Sequence, residues 1–269
     1  MRPPSSSSSF SSLVLGPDTP PLGQRTLGSV IDEQGFKHGH RTAVVVPWQS
    51  VRLTYAELAA RIRLLDKAAL EIGLKHGGPV GIMAGNRYEY LEVFLACARI
   101  GCPVVMLNNT CTPKELESAV TRSSCKLMFL APTIGRNDLA THVETLRGKR
   151  SPNPALANLR RVVLLDPAPT AERGEWNDRP PNSRDIDTRE PPQQCPLRRA
   201  MRLTPTDVVC CPPALFHCSR LIMDFPASFV HGSSIIFPSD AFDPLLVVDA
   251  AIQESATIIL GVPPMHIAE

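Results

Sequence analysis

Residues 54–107 read TYAELAARIRLLDKAALEIGLKHGGPVGIMAGNRYEYLEVFLACARIGCPVVML. Thr54 and Glu57 stand in capping-box spacing, which satisfies free N–H groups at a helix start. Leu58, Ile62, Leu65, Ala69 and Ile72 follow at helical intervals, and Gly73 ends the run. Pro79–Ala84 is a short apolar run, the pattern of a buried strand. Asn86 is placed to cap a second helix with Glu89 at its third position. Leu91, Phe94, Leu95 and Ala98 give that helix an apolar face, and Gly101 stops it. Pro103–Leu107 is another buried strand. Helices alternating with short apolar strands predict an α/β fold with a largely parallel sheet.

The alternation continues on the C-terminal side. Thr112-Pro113-Lys114-Glu115 opens a third helix, with proline at its first position. Lys126–Leu130 is a strand, a helix lies near Asp138–Leu146, and Arg161–Leu165 is a strand. The pattern then breaks. From Pro167 to Pro196 there are seven prolines, and ten of the twenty residues 171–190 are charged. Such a stretch has too little apolar surface to offset ordering entropy, and reads as a linker. From Leu203 the pattern resumes. Strands are expected at Asp207–Cys211, Ser233–Phe237 and Thr257–Leu260. Helices are expected at Leu215–Val230, disturbed by Pro226, and at Pro244–Glu254, capped by Asp243.

Four segments result: a Ser/Pro-rich tail over 1–24, an α/β unit over 25–166, the linker over 167–202, and a second α/β segment over 203–269. The whole reads as a doubly wound, largely parallel sheet that stops part-way, just after another helix start.

Composition narrows the function. With 43% apolar residues the 269-residue chain can bury a core. A net charge of +2, scattered basic residues and only 5% aromatics argue against nucleic acid. The eight cysteines form no C-x-x-C pair and no zinc-finger spacing, so reduced, buried thiols are expected. Cys210-Cys211 lies in an apolar strand and reads as inert core. No apolar run approaches the roughly 20 residues that span a bilayer. The cytoplasm is the expected compartment. The serine-rich, acid-poor N-terminus leaves a mitochondrial alternative.

Several phrases carry a family resemblance. They are Leu53-Thr54-Tyr55-Ala56-Glu57-Leu58, Gly81-Ile82-Met83-Ala84-Gly85-Asn86, Ala98-Arg99-Ile100-Gly101-Cys102 and Leu107-Asn108-Asn109-Thr110. Later come Leu203-Thr204-Pro205-Thr206-Asp207, Leu215-Phe216-His217-Cys218, Phe242-Asp243-Pro244 and Gly261-Val262-Pro263-Pro264-Met265. In order and spacing the chain resembles the N-terminal portion of the adenylate-forming (AMP-binding) superfamily, of the acyl-CoA synthetase and 4-coumarate–CoA ligase type. The likeness covers about 165 of the 269 residues. It implies ancestry in ATP-dependent activation of a carboxylic acid to acyl-AMP and then acyl-CoA, with ATP, Mg²⁺ and coenzyme A as the family's cofactors.

The same resemblance exposes a departure. The family's Ser/Thr/Gly-rich phosphate loop belongs between Arg161–Leu165 and Leu203. Here no glycine occurs between Gly174 and Gly232, and Lys149 is the last lysine. A backbone cradle for triphosphate needs glycine for positive φ and close approach. The motifs for adenine and ribose and the C-terminal catalytic domain would lie beyond Glu269. No catalytic, cofactor-binding or metal residue is therefore expected, and no cofactor for this chain.

His217, Val262 and Pro263 are the candidate substrate-binding residues, since the resemblance sets them beside the acid. His217 packing within a helix, and Gly261 with its prolines merely starting one, are the bland alternatives. Arg220 stands where the family's motif has glycine and could fill the pocket. Gly81-x-x-x-Gly85 lacks the phosphate-loop pattern and reads as a structural turn. The main expectation is a ligase-like protein incompetent for catalysis as written. The alternative is a non-catalytic partner, or one half of a split ligase that pairs with a full-length or complementary chain. A nicotinamide-dependent oxidoreductase lacks its glycine fingerprint.

Overall fold

A computed structural model of the chain describes residues 25–147, 154–165, 203–217, 221 and 224–268. The expectations for 1–24 and 167–202, and those for Cys218 and Arg220, lie outside these residues.

The chain enters through three elements that the sequence reading did not single out. They are α1 (Leu27–Lys37), β1 (Thr42–Val46) and β2 (Val51–Thr54). Two glycines inside α1 argue locally against a helix. The structure gives a reason for one: a Cβ on Gly35 would come within 2.9 Å of Ala59 Cβ on the neighbouring helix. That helix, α2 (Tyr55–Glu71), opens with the expected capping box. Thr54 Oγ1 accepts from the Glu57 N–H, and the Glu57 carboxylate accepts from the Thr54 N–H and hydroxyl at 2.8 Å.

β3 (Val80–Met83), α3 (Tyr88–Arg99) and β4 (Val104–Met106) follow. α4 (Pro113–Ser123) repeats the capping box with Thr112 and Glu115. Hydrogen bonds from the two threonines hold both glutamates below their ordinary pKa. They therefore add stability above the ordinary glutamate range, and it is lost as pH falls through the lowered values.

β5 (Leu127–Leu130) leads to a small hairpin of β6 (Thr133–Ile134) and β7 (Asn137–Asp138), then α5 (Ala140–Arg147) and β8 (Arg161–Leu164). β9 (Val208–Cys210), α6 (Phe225–His231), β10 (Ser234–Ile236), α7 (Pro244–Gln253), β11 (Ile258–Ile259) and α8 (Pro263–Ala268) complete the described elements. Asp243 caps α7 as expected, accepting from the N–H groups of Leu245 and Leu246. The helix expected over Leu215–Val230 needs correcting. Leu215–His217 is a loop, and α6 starts at Phe225 with Pro226 in its first turn. Proline is tolerated there because its missing N–H would have no partner inside the helix.

The strands form two larger sheets. One has the order β4-β3-β5-β8, all parallel. The other has the order β11-β9-β10-β1-β2, parallel except that β2 runs antiparallel to β1. The first two strands of the chain thus join the sheet of its last segment, across the boundary drawn from composition. Alternate residues of the second sheet serve two cores. Val44, Val209 and Ile235 pack in the main core with Tyr55 and Phe229. Val45, Cys210 and Ile236 pack under Val247 and Ala250 of α7. Helices on both faces of parallel strands make this the doubly wound architecture that the sequence implied.

Candidate functional site

Open parallel sheets bind ligands beyond the carboxyl ends of their strands. At that edge of the second sheet, β9 runs into residues 211–217 and β11 runs into Leu260–Pro263. The strands are parallel neighbours, with Cys210 opposite Ile259. The Leu260 N–H donates to Cys210 O at 2.9 Å. His217 lies exposed at the end of the first loop, its ring centroid 4.2 Å from that of Phe216. Val262 and Pro263 lie exposed on the second, where Pro263 begins α8. The three candidate residues therefore share one sheet edge, on loops leaving adjacent strands.

Cys210 and Cys211 are fully buried. Burial also pushes the thiols of Cys97 and Cys125 up, away from the reactive thiolate. Among the described residues no cluster of three or more His, Cys, Asp or Glu could hold a metal ion.

The glycine pair at the end of β3 makes no phosphate loop. Gly81 sits within the strand, where a Cβ would approach Met128 Sδ to 2.6 Å. Gly85 abuts Asp240, and a Cβ there would run into the carboxylate and main-chain oxygen of that residue. A carboxylate against the turn repels phosphate, so this glycine serves backbone packing and does not fit the family's triphosphate.

The residues after Gly85 form a buried crossing point that sequence reasoning missed. Asn86 does not cap α3. The helix starts at Tyr88, and the side chain of Gln49 meets that start instead. Gln49 Oε1 accepts from the Tyr88 N–H at 3.2 Å, and its Nε2 donates to Glu89 at 3.0 Å. Fully buried Asn86 turns the other way. Its Nδ2 donates to Pro212 O at 3.0 Å and its Oδ1 accepts from the Leu215 N–H at 2.8 Å. The Asn86 N–H donates to Asp240 O at 2.9 Å, and Asn86 O accepts from Trp48 Nε1 at 3.1 Å.

Arg87 is buried beside it. It donates to Leu165 O at 2.9 Å, lies over the Trp48 ring at 5.3 Å and faces Asp240 Oδ1 at 3.9 Å. Asp240 Oδ2 in turn accepts from the Gly135 N–H at 2.8 Å. Asn-Arg between an apolar strand and an apolar helix was the available signal. Its partners stand 38 to 154 positions away in sequence, beyond the reach of local pattern.

The comparisons with known proteins agree with this geometry. The model of the family "AMP-binding enzyme" matches residues 31–199. The chain is 33% identical to Acyl-CoA ligase SID4 of Ajellomyces capsulatus, over 94% of this chain and 49% of that protein. It is 33% identical to Acyl-CoA ligase sidI of Aspergillus fumigatus, over 98% of this chain and 51% of that protein. The chain thus spans about half the length of these curated relatives. In fold it is similar to the N-terminal domain of FACL13 from Mycobacterium tuberculosis, with a TM-score of 0.74 at 18% identity, covering 90% of this chain and 64% of that one. The sequence phrases, the paired parallel sheets and the family match converge on one assignment: this chain belongs to the AMP-binding enzyme family.

Proposed function

We propose that the chain is the acid-side portion of an acyl-CoA-ligase-like protein, and that as written it does not form an acyl-adenylate. One observation carries this. In the span where the family's phosphate loop belongs, the sequence has no glycine from 175 to 231 and no lysine after Lys149. Charge that develops on phosphate oxygens must be met by pre-placed donors. A loop that wraps those oxygens with backbone N–H groups relies on glycine for positive φ and close approach. ATP and its Mg²⁺ thus belong to the ancestry rather than to this chain. What remains for it is the edge formed by residues 211–217 and 260–263, with His217, Val262 and Pro263 beside a carboxylic acid. The buried thiols support a reducing compartment.

Equilibrium dialysis of the purified chain against radiolabelled Mg·ATP tests the first part. The expected result is no saturable binding up to about 1 mM, the upper end of usual substrate affinities. Saturable binding at micromolar ATP would overturn the proposal.

A second reading is favoured by surface. Among the described residues, Leu245, Ile252 and Ile267 are 76%, 72% and 87% exposed, and β11 is the end strand of its sheet. An exposed apolar face beside an end strand suits a complementary ligase chain. Sedimentation after co-expression with the second half of a ligase checks this reading. One heterodimeric species supports it, and two separate monomers contradict it.

A further inference from the structure

The loop that bears His217 makes little use of its own main chain over residues 212–215. It contains Pro212 and Pro213, which have no N–H to give to a neighbouring strand. Among the described residues, its main-chain support at the far end is the bond from the His217 N–H to Ala214 O at 3.2 Å and a longer one from the Leu221 N–H to His217 O at 3.4 Å. The two main-chain groups that flank the prolines, Pro212 O and the Leu215 N–H, are both taken by the one side chain of Asn86. Asn86 is itself fixed from two other sides, by Asp240 of the loop after β10 and by Trp48 of the turn after β1. One residue, through its side-chain amide and its own main-chain N–H and C=O, so joins the carboxyl ends of β1, β3, β9 and β10.

We propose that Asn86 is a positioning residue. Its side-chain amide clamps residues 212–215 and thereby sets where Phe216 and His217 stand at the sheet edge. The clamp needs both a donor and an acceptor on one short, rigid side chain, which suits asparagine. Both bonds are buried, so removing the amide leaves Pro212 O and the Leu215 N–H without partners, and the loop must move to reach water. This inference rests on the reading of the His217 loop as the acid side only for its functional meaning. The clamp itself is a matter of geometry.

The experiment uses the full chain, isotope-labelled, with sodium octanoate as the probe carboxylate. In Asn86→Ala, amide exchange at His217, which makes no bond to Asn86, is expected to rise about tenfold or more, while Met128 and Phe129 of β5 exchange as before. Octanoate is expected to shift the His217 ring signals of the unaltered chain, and to do so at least about tenfold more weakly in the variant. Gln49→Ala, which loses the bonds to the start of α3 but leaves the loop clamp, is expected to bind octanoate as the unaltered chain does. Unchanged exchange at His217 in Asn86→Ala would overturn the clamp. If exchange rises but octanoate binds equally well, positioning of the acid edge is overturned. Failure of octanoate to shift His217 in the unaltered chain would instead remove the acid-side reading and leave the exchange result to decide the clamp. Should the alanine variant not fold, Asn86→Asp carries the same test. It keeps an acceptor for the Leu215 N–H but sets a carboxylate against Pro212 O, and faster exchange at His217 is again expected.

Discussion

Gly85→Ala is expected to destabilise the chain by about 3 kcal/mol or more, near the upper end of what overpacking costs. The added methyl has no free space, because the main-chain oxygen and the carboxylate of Asp240 already occupy it. Neither can retreat without loss. Asp240 O accepts from the Asn86 N–H at 2.9 Å, and Asp240 Oδ2 from the Gly135 N–H at 2.8 Å. Relief therefore breaks the crossing point that joins the two sheets. Gly77→Ala is the matched control. Its φ is +75°, yet nothing lies within 4 Å of a Cβ there, so only the backbone penalty of about 1 kcal/mol applies. Urea unfolding of the two variants checks the contrast. Equal losses would mean that close contact with Asp240 is not what excludes a side chain at Gly85.

Tyr55→Ala is expected to cost about 3–5 kcal/mol, as for other large aromatic truncations in a core. Tyr55 is fully buried, and its ring stands 5.3 Å from that of Phe229. Its hydroxyl donates to Ser233 O at 2.8 Å. One side chain at the start of α2 so packs against α6 and reaches the residue that precedes β10, 178 positions later. Tyr55→Phe keeps the ring and removes only the hydrogen bond, leaving a buried carbonyl one partner short, and is expected to cost about 1–2 kcal/mol. Thermal unfolding of both variants separates packing from hydrogen bonding. If the phenylalanine variant lost as much as the alanine variant, the hydroxyl rather than the ring would join the segments.

The elements legible in the sequence were those with strong local chemistry. Thr54/Glu57 and Thr112/Glu115 announce helix starts through their own side chains, and the structure has both capping boxes. PVGIMA, PVVML and KLMFL are apolar enough to read as buried strands in any context. α1 was not legible, because Gly28 and Gly35 weaken its pattern, Gly35 for the sake of close packing on α2. β1 and β2 are short, and their role depends on pairing with β10 from the far end of the chain. Asn86 was misread for the same reason. Local rules offer an asparagine before a helix the role of a cap, whereas tertiary structure supplies Gln49 for that task and frees Asn86 to hold the 212–215 loop. The candidate residues His217, Val262 and Pro263 could be named from resemblance alone. That they share one edge required the β9–β11 pairing.

The central proposal is chemical: that this polypeptide carries the acid side of an adenylate-forming fold and does not steady triphosphate. Carboxylate-dependent exchange of radiolabelled pyrophosphate into ATP tests it most directly, using purified chain with a panel of fatty and aromatic acids. The account predicts no incorporation above a protein-free blank for any acid. Acid-dependent incorporation that scales with the amount of chain, and persists through a further purification step, would contradict it.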